Sequence, residues 1–354
     1  MSAPPRIAIA AGGTAGHVVP ALAVAGALRA EGASVVFVGG ERAEAELVPA
    51  AGYELRTIRV EGLHRRNPLK AVRAVLRAAR AVLTSVRLLR AWRADAVMGG
   101  GGYVAGPVGL AAVLLRIPLV LTEADSHLGI ANRLLAPFAR RVCLAFPIAG
   151  RSGSRYRVTG RPVPPPAVDR AAARARFGLG EDDTVVLVFG GSLGARSINH
   201  AAVEAFADAP FRVLHAAGAR DFPTLAAPGP HYDLRDYIHE GFGEALLASD
   251  LVIARSGGSI FEVAAHGRPA ILIPYPAAAA DHQTANAHWM EQAGAAIVIP
   301  DAELSPERLA HETGALLHDR TRLAAMSHAS AALARPDAAR EVAGELLAAA
   351  RRVG

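Results

Sequence analysis

Near its start the chain reads Ile7-Ala8-Ile9-Ala10-Ala11-Gly12-Gly13-Thr14-Ala15-Gly16, an apolar run that ends in a glycine turn. An apolar run, a glycine turn and then an amphipathic segment are typical of a buried strand followed by a helix. Backbone N–H groups and the positive end of the helix dipole meet at such a turn, where they can bind a phosphate. The stretch therefore predicts a strand–turn–helix unit that binds an anion.

The same pattern returns in the second half, where Val185-Val186-Leu187-Val188-Phe189 precedes Gly190-Gly191-Ser192-Leu193-Gly194. Two copies imply two similar domains that face one ligand. The first copy does not have the G-x-G-x-x-G spacing of dinucleotide-binding turns, so a nicotinamide-dependent enzyme is the weaker alternative. The pair predicts an enzyme that handles a nucleotide diphosphate between its domains.

Apolar strands alternate with helices through both halves, which predicts an α/β protein with two doubly wound, Rossmann-like parallel sheets facing an interdomain cleft. Strands are expected near 6–11, 35–39, 55–60, 95–98, 118–122, 142–145, 184–189, 211–216, 251–254, 270–273 and 296–299. The run Gly160-Arg161-Pro162-Val163-Pro164-Pro165-Pro166 cannot be helical. We therefore expect an N-terminal domain over 1–160, a hinge over 161–167, a C-terminal domain over 168–335 and a final helix over 336–354.

Composition restricts the protein class. Hydrophobic residues make up 52% of the 354 residues and charged residues 20%, which fits a globular chain with ample core. The single cysteine, Cys143, cannot form an intrachain disulfide and suits a reducing compartment. Glycines interrupt the apolar N-terminal stretch, which argues against a signal peptide, and no uninterrupted apolar run predicts a transmembrane helix. We expect a cytosolic protein.

The net charge of +6 has a local origin. Residues 65–93 contain nine basic side chains and no acidic one, and the rest of the chain is slightly acidic. On a helical wheel Val72, Val75, Leu76, Ala79, Val82, Leu83, Val86 and Leu89 form an apolar arc, beside a stripe of Lys70, Arg73, Arg77, Arg80 and Arg87. The alternatives are a core-facing helix with a solvated basic face and a contact with an anionic membrane, which we favour. No aromatic residues alternate with the basic ones, so nucleic acid is not expected.

Loops that follow strands hold the candidate site residues, because ligands of open α/β sheets bind beyond the carboxyl ends of the strands. His17 falls in the first helical turn, where the helix dipole disfavours the imidazolium; it is a candidate general base or simply a capping residue. Gly101, Gly102 and Tyr103 belong to a third glycine loop, Gly99–Pro107, that lets an anion or a bulky acceptor approach the main chain, unless its glycines serve only close packing.

Two loops of the second half carry further candidates. In Arg255-Ser256-Gly257-Gly258-Ser259-Ile260-Phe261-Glu262, the pair Ser259 and Glu262 matches a capping box, or else binds phosphate and ribose. Asp281-His282-Gln283-Thr284-Ala285-Asn286 opens another helix, where the His282 imidazole and the Gln283 amide are placed to bind sugar hydroxyls or are ordinary helix-start residues.

Together, five motifs in the right order resemble the MurG family: Gly-Gly-Thr-Ala-Gly-His at 12–17, Gly-Gly-Tyr-Val-Ala-Gly-Pro at 101–107, Gly-Gly-Ser-Leu-Gly-Ala-Arg at 190–196, Arg-Ser-Gly-Gly at 255–258 and Asp-His-Gln-Thr-Ala-Asn-Ala at 281–287. The resemblance implies a two-domain GT-B glycosyltransferase. Its donor would be UDP-GlcNAc, bound by the C-terminal half. Its acceptor would be undecaprenyl-pyrophosphoryl-muramyl-pentapeptide, bound by the N-terminal half at the cytoplasmic face of the inner membrane, in the lipid I to lipid II step of peptidoglycan synthesis.

The resemblance also implies individual contacts. They are Thr14, Ala15 and Gly16 with the donor, His17 near the acceptor hydroxyl, Ser192 with the donor phosphate, Phe242 with the uracil through its backbone, Gly258 and Ser259 with phosphate, Glu262 with the ribose and Gln283 with the GlcNAc hydroxyls.

Three departures from the family pattern bear on specificity. Thr122-Glu123-Ala124-Asp125 stands where the family has His-Glu-Gln-Asn, so Asp125 replaces an amide that faces the sugar. Arg161-Pro162-Val163-Pro164 stands where Asn-Pro-Val-Arg is usual, so the arginine has moved to Arg161 or been lost. The loop before Glu262 is one residue short.

The expected reaction is an in-line displacement that inverts the anomeric centre, with His17 as the first candidate base and Glu123 as the second. No Asp-x-Asp follows a strand, so neither a metal nor another cofactor is expected. A transferase for another UDP-sugar or lipid, and a binding protein without turnover, remain as alternatives.

Overall fold

The computed structural model describes residues 3–59, 68–191, 194–278 and 281–351, and for residues 68–77 it describes the backbone alone. The chain divides into two compact units. The first contains the residues up to Pro164 and those from Arg335 onward, and the second spans Pro165–Ala334. The roles expected for the two domains and for the hinge stay predictions.

Each unit is built on one parallel sheet. In the first, seven strands lie in the order β3-β2-β1-β4-β5-β6-β7: β1 Arg6–Ala10, β2 Ser34–Gly39, β3 Glu54–Thr57, β4 Ala96–Gly99, β5 Leu119–Glu123, β6 Arg141–Leu144 and β7 Tyr156–Val158. In the second, six lie in the order β10-β9-β8-β11-β12-β13: β8 Val185–Phe189, β9 Arg212–Ala216, β10 Tyr232–Arg235, β11 Leu251–Ala254, β12 Ala270–Leu272 and β13 Ala296–Val298. The strand order reverses beside β1 in the first unit and beside β8 in the second. We therefore expect the ligand-binding crevice of each unit at the carboxyl end of its first strand.

The helices follow the strands along the chain. They are α1 Ala15–Ala30, α2 Ala43–Ala50, α3 Pro68–Trp92, α4 Ala105–Leu114, α5 Ile130–Leu135, α6 Arg170–Arg176, α7 Arg196–Ala205, α8 Phe242–Ala248, α9 Ile260–Ala265, α10 His282–Gln292, α11 Pro306–His318, α12 Arg320–Leu333 and α13 Ala338–Ala350. Within the described ranges, none of them is long and apolar enough to cross a membrane.

Side chains of the first sheet alternate between its two faces, and helices cover both faces. Ile7 and Ile9 pack against α1, α2 and α13 on one face, while Ala8 and Ala10 pack against α3, α4 and α5 on the other. Burying a large apolar side chain stabilises the fold by roughly 1.5–3 kcal/mol. In the second unit α7, α11 and α12 cover the face that contains Val186 and Val188.

The C-terminal helix is part of the first unit because it is paired with that unit's edge strands. Glu345 accepts from Arg141 of β6 at 2.8 Å and from Arg157 of β7 at 3.0 Å, and Glu341 pairs with Arg157 at 2.8 Å. These ion pairs, with Val342 and Leu346 fully buried beneath them, fix α13 on the sheet.

All eleven strands predicted from the sequence are present, and the described part of the chain forms two more, β7 and β10, that the sequence did not predict. Both are edge strands. Tyr156–Val158 and Tyr232–Arg235 are half-buried or exposed at most positions and contain charged residues. An edge strand that is covered on one side lacks the continuous apolar run by which the others are recognised.

Candidate functional site

The first glycine loop connects β1 to α1. Gly13 has a φ of +107°, a left-handed conformation that other residues rarely adopt, and Thr14 is extended at the N-cap with no side-chain capping bond. The start of α1 leaves the N–H groups of Ala15 and Gly16 without helical acceptors. The loop therefore has the geometry predicted for an anion site.

The third glycine loop packs directly on the first. A Cβ on Gly102 would lie 1.9 Å from the Gly12 carbonyl oxygen, and one on Gly101 would lie 2.7 Å from His17 Nδ1. A side chain at Gly102 would force the two loops apart, and one at Gly101 would displace the His17 ring, so the glycines permit a close approach of the two loops. Close packing, one of the two explanations for these glycines, is therefore observed. Phosphate binding by the loop remains a prediction.

His17 and Arg161 lie together at the start of α1. The Arg161 guanidinium is buried and donates to the Gly16 carbonyl oxygen. Burial, and then the positive charge of Arg161, lower the pKa of His17, while Asp125 opposes them. His17 is therefore neutral at pH 7, the state that a general base requires. That Arg161 takes the place of the family's arginine stays a prediction.

A small cavity of about 20 Å³ lies beside these residues. It is lined by His17, Arg161, Glu123, Thr122 and Gly100, among others. A space of this size can hold about one water molecule. It brings the two candidate bases to the same place at the carboxyl ends of β1, β4 and β5.

Glu123 is buried, and both of its oxygens hold the loop that follows β5. They accept from the N–H groups of Ala124 at 3.0 Å, Asp125 at 3.3 Å and Gly129 at 2.8 Å, and from Asn132 Nδ2 at 2.9 Å. Burial raises the pKa of Glu123 despite these bonds. These contacts give Glu123 a positioning role for the loop that carries Asp125, and its role as a base stays a prediction.

Two residues that the sequence analysis missed support these loops. Asn132 holds Glu123, and Glu44, in the first turn of α2, accepts hydrogen bonds from Gly13, Gly40 and Tyr103. The available signal for Glu44 was the pair Gly39-Gly40 at the end of β2, since glycines after a strand mark a place where another group approaches the main chain.

The second unit repeats the arrangement at the end of β8. Gly194 has a φ of +75°, and a Cβ there would lie 2.1 Å from the Ala217 carbonyl oxygen. Phe242, at the start of α8, packs its ring edge-on against Phe189 with 5.1 Å between the ring centroids. Ser192, the expected phosphate ligand, lies outside the described residues.

The loop between β11 and α9 is anchored by Arg255. Its guanidinium donates to the carbonyl oxygens of Ile273 and Pro274, to Asp301 Oδ1 at 2.5 Å and to Ser197 Oγ at 2.9 Å. This arginine therefore holds the ends of β11 and β12 together with the start of α7. The side-chain capping bond that the capping-box interpretation requires of Ser259 is absent at the N-cap of α9.

The start of α10 joins that loop. Ser256 Oγ donates to the Gln283 carbonyl oxygen at 2.7 Å, and Asn286 Nδ2 donates to the Ser256 carbonyl oxygen at 2.9 Å. Gln283 Nε2 lies 3.7 Å from the position of a Cβ on Gly257, and its Oε1 accepts from Tyr275 N–H. Gln283 and the glycines of the β11 loop are thus neighbours.

The candidate residues form one group in each unit, at the carboxyl ends of the strands. Thr14, Ala15, Gly16, His17, Gly101, Gly102, Tyr103, Glu123, Asp125 and Arg161 belong to the first unit. Phe242, Gly258, Ser259, Glu262, His282 and Gln283 belong to the second. Among the described residues no three histidine, cysteine or acidic side chains are placed to hold a metal ion.

A separate surface is formed by α3, α4 and α5, which pack side by side. Arg80, Arg87 and Arg90 of α3, and Arg93 directly after it, are exposed. Part of the predicted apolar arc is exposed too, since Leu83 is 58% exposed. Exposed apolar side chains continue on the neighbouring elements: Leu110, Leu114, Ile130, Leu134 and Phe138. Arg65 and Arg66, and the side chains of Lys70, Arg73 and Arg77, lie outside the described residues.

Comparison with known proteins agrees with this geometry. The chain matches the glycosyltransferase family 28 N-terminal domain over residues 7–144 and the C-terminal domain of that family over 185–342. It is 41% identical to the UDP-N-acetylglucosamine–N-acetylmuramyl-(pentapeptide) pyrophosphoryl-undecaprenol N-acetylglucosamine transferase of Moorella thermoacetica, covering 94% of this chain and 96% of that one. It is 40% identical to the protein of the same name from Nitrosococcus oceani, covering 97% and 98%.

A solved structure gives the same result. The crystal structure of Acinetobacter baumannii MurG superposes with a TM-score of 0.78 at 30% identity, covering 98% of this chain and 100% of that chain. Both sheets, both glycine loops and the full length of the chain are therefore accounted for by one family. The chain belongs to the MurG family of glycosyltransferases, within glycosyltransferase family 28.

Proposed function

We propose that this chain transfers GlcNAc from UDP-GlcNAc to undecaprenyl-pyrophosphoryl-muramyl-pentapeptide, which converts lipid I to lipid II in peptidoglycan synthesis. The observation that carries the proposal is identity of about 40% with transferases of that name along nearly the whole chain. The two glycine-loop units support it, because donor and acceptor each contain a pyrophosphate that such loops can bind.

In this proposal the second unit binds the donor. The amides of Gly258 and Ser259 and the dipoles of α7 and α9 would stabilise the charge that develops on the departing UDP, as preorganised donors do. Phe242 contacts the uracil through its backbone, Glu262 the ribose and Gln283 the GlcNAc hydroxyls. The bond network of Ser256, Gln283 and Asn286 supports this role by fixing α10 against the β11 loop.

The first unit binds the acceptor in this proposal. Its sugar hydroxyl attacks C1 of GlcNAc, His17 takes the hydroxyl proton, and the C1–O bond to UDP breaks with inversion. The lowered pKa of His17 supports this role, because a neutral imidazole can accept the proton at pH 7. Arg161 helps to keep His17 neutral until the hydroxyl proton is transferred.

The surface of α3, α4 and α5 is proposed to contact the cytoplasmic face of the inner membrane. Exposed arginines on α3 would meet anionic headgroups, and Leu134 and Phe138, which are 68% and 65% exposed, would enter the interface. Binding to phosphatidylglycerol vesicles tests this. Arg80→Glu with Arg87→Glu should release the protein, whereas Arg320→Glu with Arg322→Glu, an equal charge change on exposed residues of α12, should not. Equal release by both pairs would contradict the assignment.

Asp125 favours the alternative function, a related transferase that uses another UDP-sugar or another lipid acceptor. At this position the family has an amide, and this chain has an acid. UDP release with a soluble lipid I analogue separates the possibilities when UDP-GlcNAc, UDP-glucose and UDP-GalNAc are compared. Selective turnover of UDP-GlcNAc supports the proposal. Selective use of another UDP-sugar, or of diacylglycerol as the acceptor, would contradict the proposal and identify the chain as the related transferase. UDP binding without turnover would indicate a binding protein, and thermal stabilisation by NAD instead of UDP would indicate a nicotinamide enzyme.

A further inference from the structure

Glu44 is a buried carboxylate that contacts three separate strand ends. Its Oε2 accepts from Gly13 N–H at 2.8 Å, in the loop after β1. Its Oε1 accepts from Gly40 N–H after β2 and from Tyr103 Oη after β4, each at 2.8 Å. The residue itself is fully buried.

Glycines, which have no side chain, leave the space that this carboxylate occupies. A Cβ on Gly12 would lie 2.6 Å from Glu44 Oε1, one on Gly39 would lie 2.8 Å from its Cγ, and one on Gly40 would lie 3.0 Å from Oε1. Glycines at the ends of β1 and β2 therefore make the space that Glu44 fills. The Glu44 side chain fills this space and presents its two acceptor oxygens to three donors.

The carboxylate is ionised in this site. Burial raises its pKa, but the hydrogen bonds from Gly13, Tyr103 and Gly40 outweigh burial, and the net pKa lies below the usual value. Burial and the bond to Glu44 raise the pKa of Tyr103 to about 12, so its hydroxyl keeps the proton that it donates. The Arg42 guanidinium lies over the Tyr103 ring at 5.0 Å and adds a further contact.

We propose that Glu44 is a positioning residue that sets the spacing between the first glycine loop and the Gly101–Tyr103 loop, and thereby places the Gly101–Tyr103 loop where it receives the acceptor pyrophosphate. This rests on the proposed function for the identity of the ligand. Glu44 touches no reacting atom. It acts through Gly13 and Tyr103, whose loops also meet at Gly12 and Gly102.

The test compares Glu44→Gln with Glu46→Gln, which removes the same charge from the first turn of α2 at an exposed position. A glutamine at 44 presents one N–H to a donor, so it cannot accept from both loops at once. We expect kcat/KM for a lipid I analogue to fall 30- to 100-fold in Glu44→Gln and to stay within two-fold of wild type in Glu46→Gln. Misplacement of a binding loop by about 1 Å has effects of this size.

Hydrogen exchange separates positioning from general destabilisation. Positioning predicts faster exchange confined to peptides containing residues 12–16, 39–41 and 100–104 in Glu44→Gln, since Gly13, Gly40 and Tyr103 are its partners. Tyr103→Phe removes one of the three bonds. It should give the same local exchange pattern and lower kcat/KM for the lipid I analogue by about three- to ten-fold. This variant tests the inference if Glu44→Gln does not fold.

Activity of Glu44→Gln equal to that of Glu46→Gln, or faster exchange throughout the first unit, would overturn the inference. If wild-type protein transfers no GlcNAc, the proposed function fails instead, and the exchange pattern still decides whether Glu44 holds the loops.

Discussion

Gly102 and Gly12 approach so closely that a Cβ on Gly102 would lie 1.9 Å from the Gly12 carbonyl oxygen. Gly102 also has a φ of +75°. We expect Gly102→Ala to lower kcat/KM more than ten-fold, because the methyl group must push the first glycine loop away. Its strained backbone alone would cost about 1–2 kcal/mol of stability.

Gly150→Ala is the matched control for this clash. Gly150 has a φ of +71°, and a Cβ there meets nothing within 4 Å. Both variants carry the backbone strain, which thermal unfolding measures, and only Gly102→Ala carries the clash. Equal activity in the two variants would show that the contact between the loops does not matter for turnover.

His17 should determine the acid limb of the pH–kcat/KM profile, which reports the pKa values of the free enzyme. Its pKa is lowered by burial and Arg161 and is raised by Asp125. Activity that needs the neutral imidazole is lost as pH falls through this pKa, so the limb lies below pH 6.5. Asp125→Asn removes the opposing charge, so we expect its limb to move to lower pH. His17→Ala should lower kcat by ~10²–10⁴ and remove the limb.

Kinetics from pH 5 to 8 check this assignment. A limb that moves upward in Asp125→Asn, or a His17→Ala variant within a few-fold of wild type, would mean that another group takes the proton.

Much of this architecture follows from patterning. The strand runs and glycine loops predict both sheets and the placement of His17, because burial on both faces demands apolar strands and tight turns demand glycine. The contacts of Glu44 and Arg255 could not be predicted in the same way. The Gly39-Gly40 pair signals that a group approaches the main chain after β2, but Gly13, Tyr103, Ser197 and Asp301 lie on loops distant in sequence, and no local pattern identifies them as the partners.

Gln283 should distinguish the sugar from the nucleotide. If its amide binds GlcNAc hydroxyls, Gln283→Ala should raise the Kd for UDP-GlcNAc about ten-fold and leave that for UDP unchanged. One hydrogen bond of about 1.4 kcal/mol accounts for this change. Titration calorimetry measures both constants. Gln292→Ala, exposed at the other end of α10, is the control, and an equal loss for UDP and UDP-GlcNAc in Gln283→Ala would argue against sugar recognition.

His215 should make stability depend on pH. It is fully buried between Tyr232 Oη at 2.7 Å and Asn199 Oδ1 at 3.0 Å, and burial lowers its pKa to about 4. Between pH 6.5 and 4 the unfolded chain takes up a proton that the folded one does not, so stability falls as pH decreases through this window. The full difference is roughly 3 kcal/mol.

Urea unfolding at pH 7.5 and 4.5 measures this contribution. We expect His215→Gln to reduce the difference between the two pH values, and exposed His318→Gln to leave it unchanged. An unaltered pH dependence in His215→Gln would show that this histidine is not the group that titrates.

The identity of the reaction product is the most direct test of the central claim. Wild-type protein should convert a lipid I analogue and UDP-GlcNAc into UDP and a disaccharide lipid, in which one GlcNAc is joined through an inverted, β-configured C1, as read by mass spectrometry and NMR. A product with a retained α linkage, a different sugar, or no sugar added to the lipid would contradict the account.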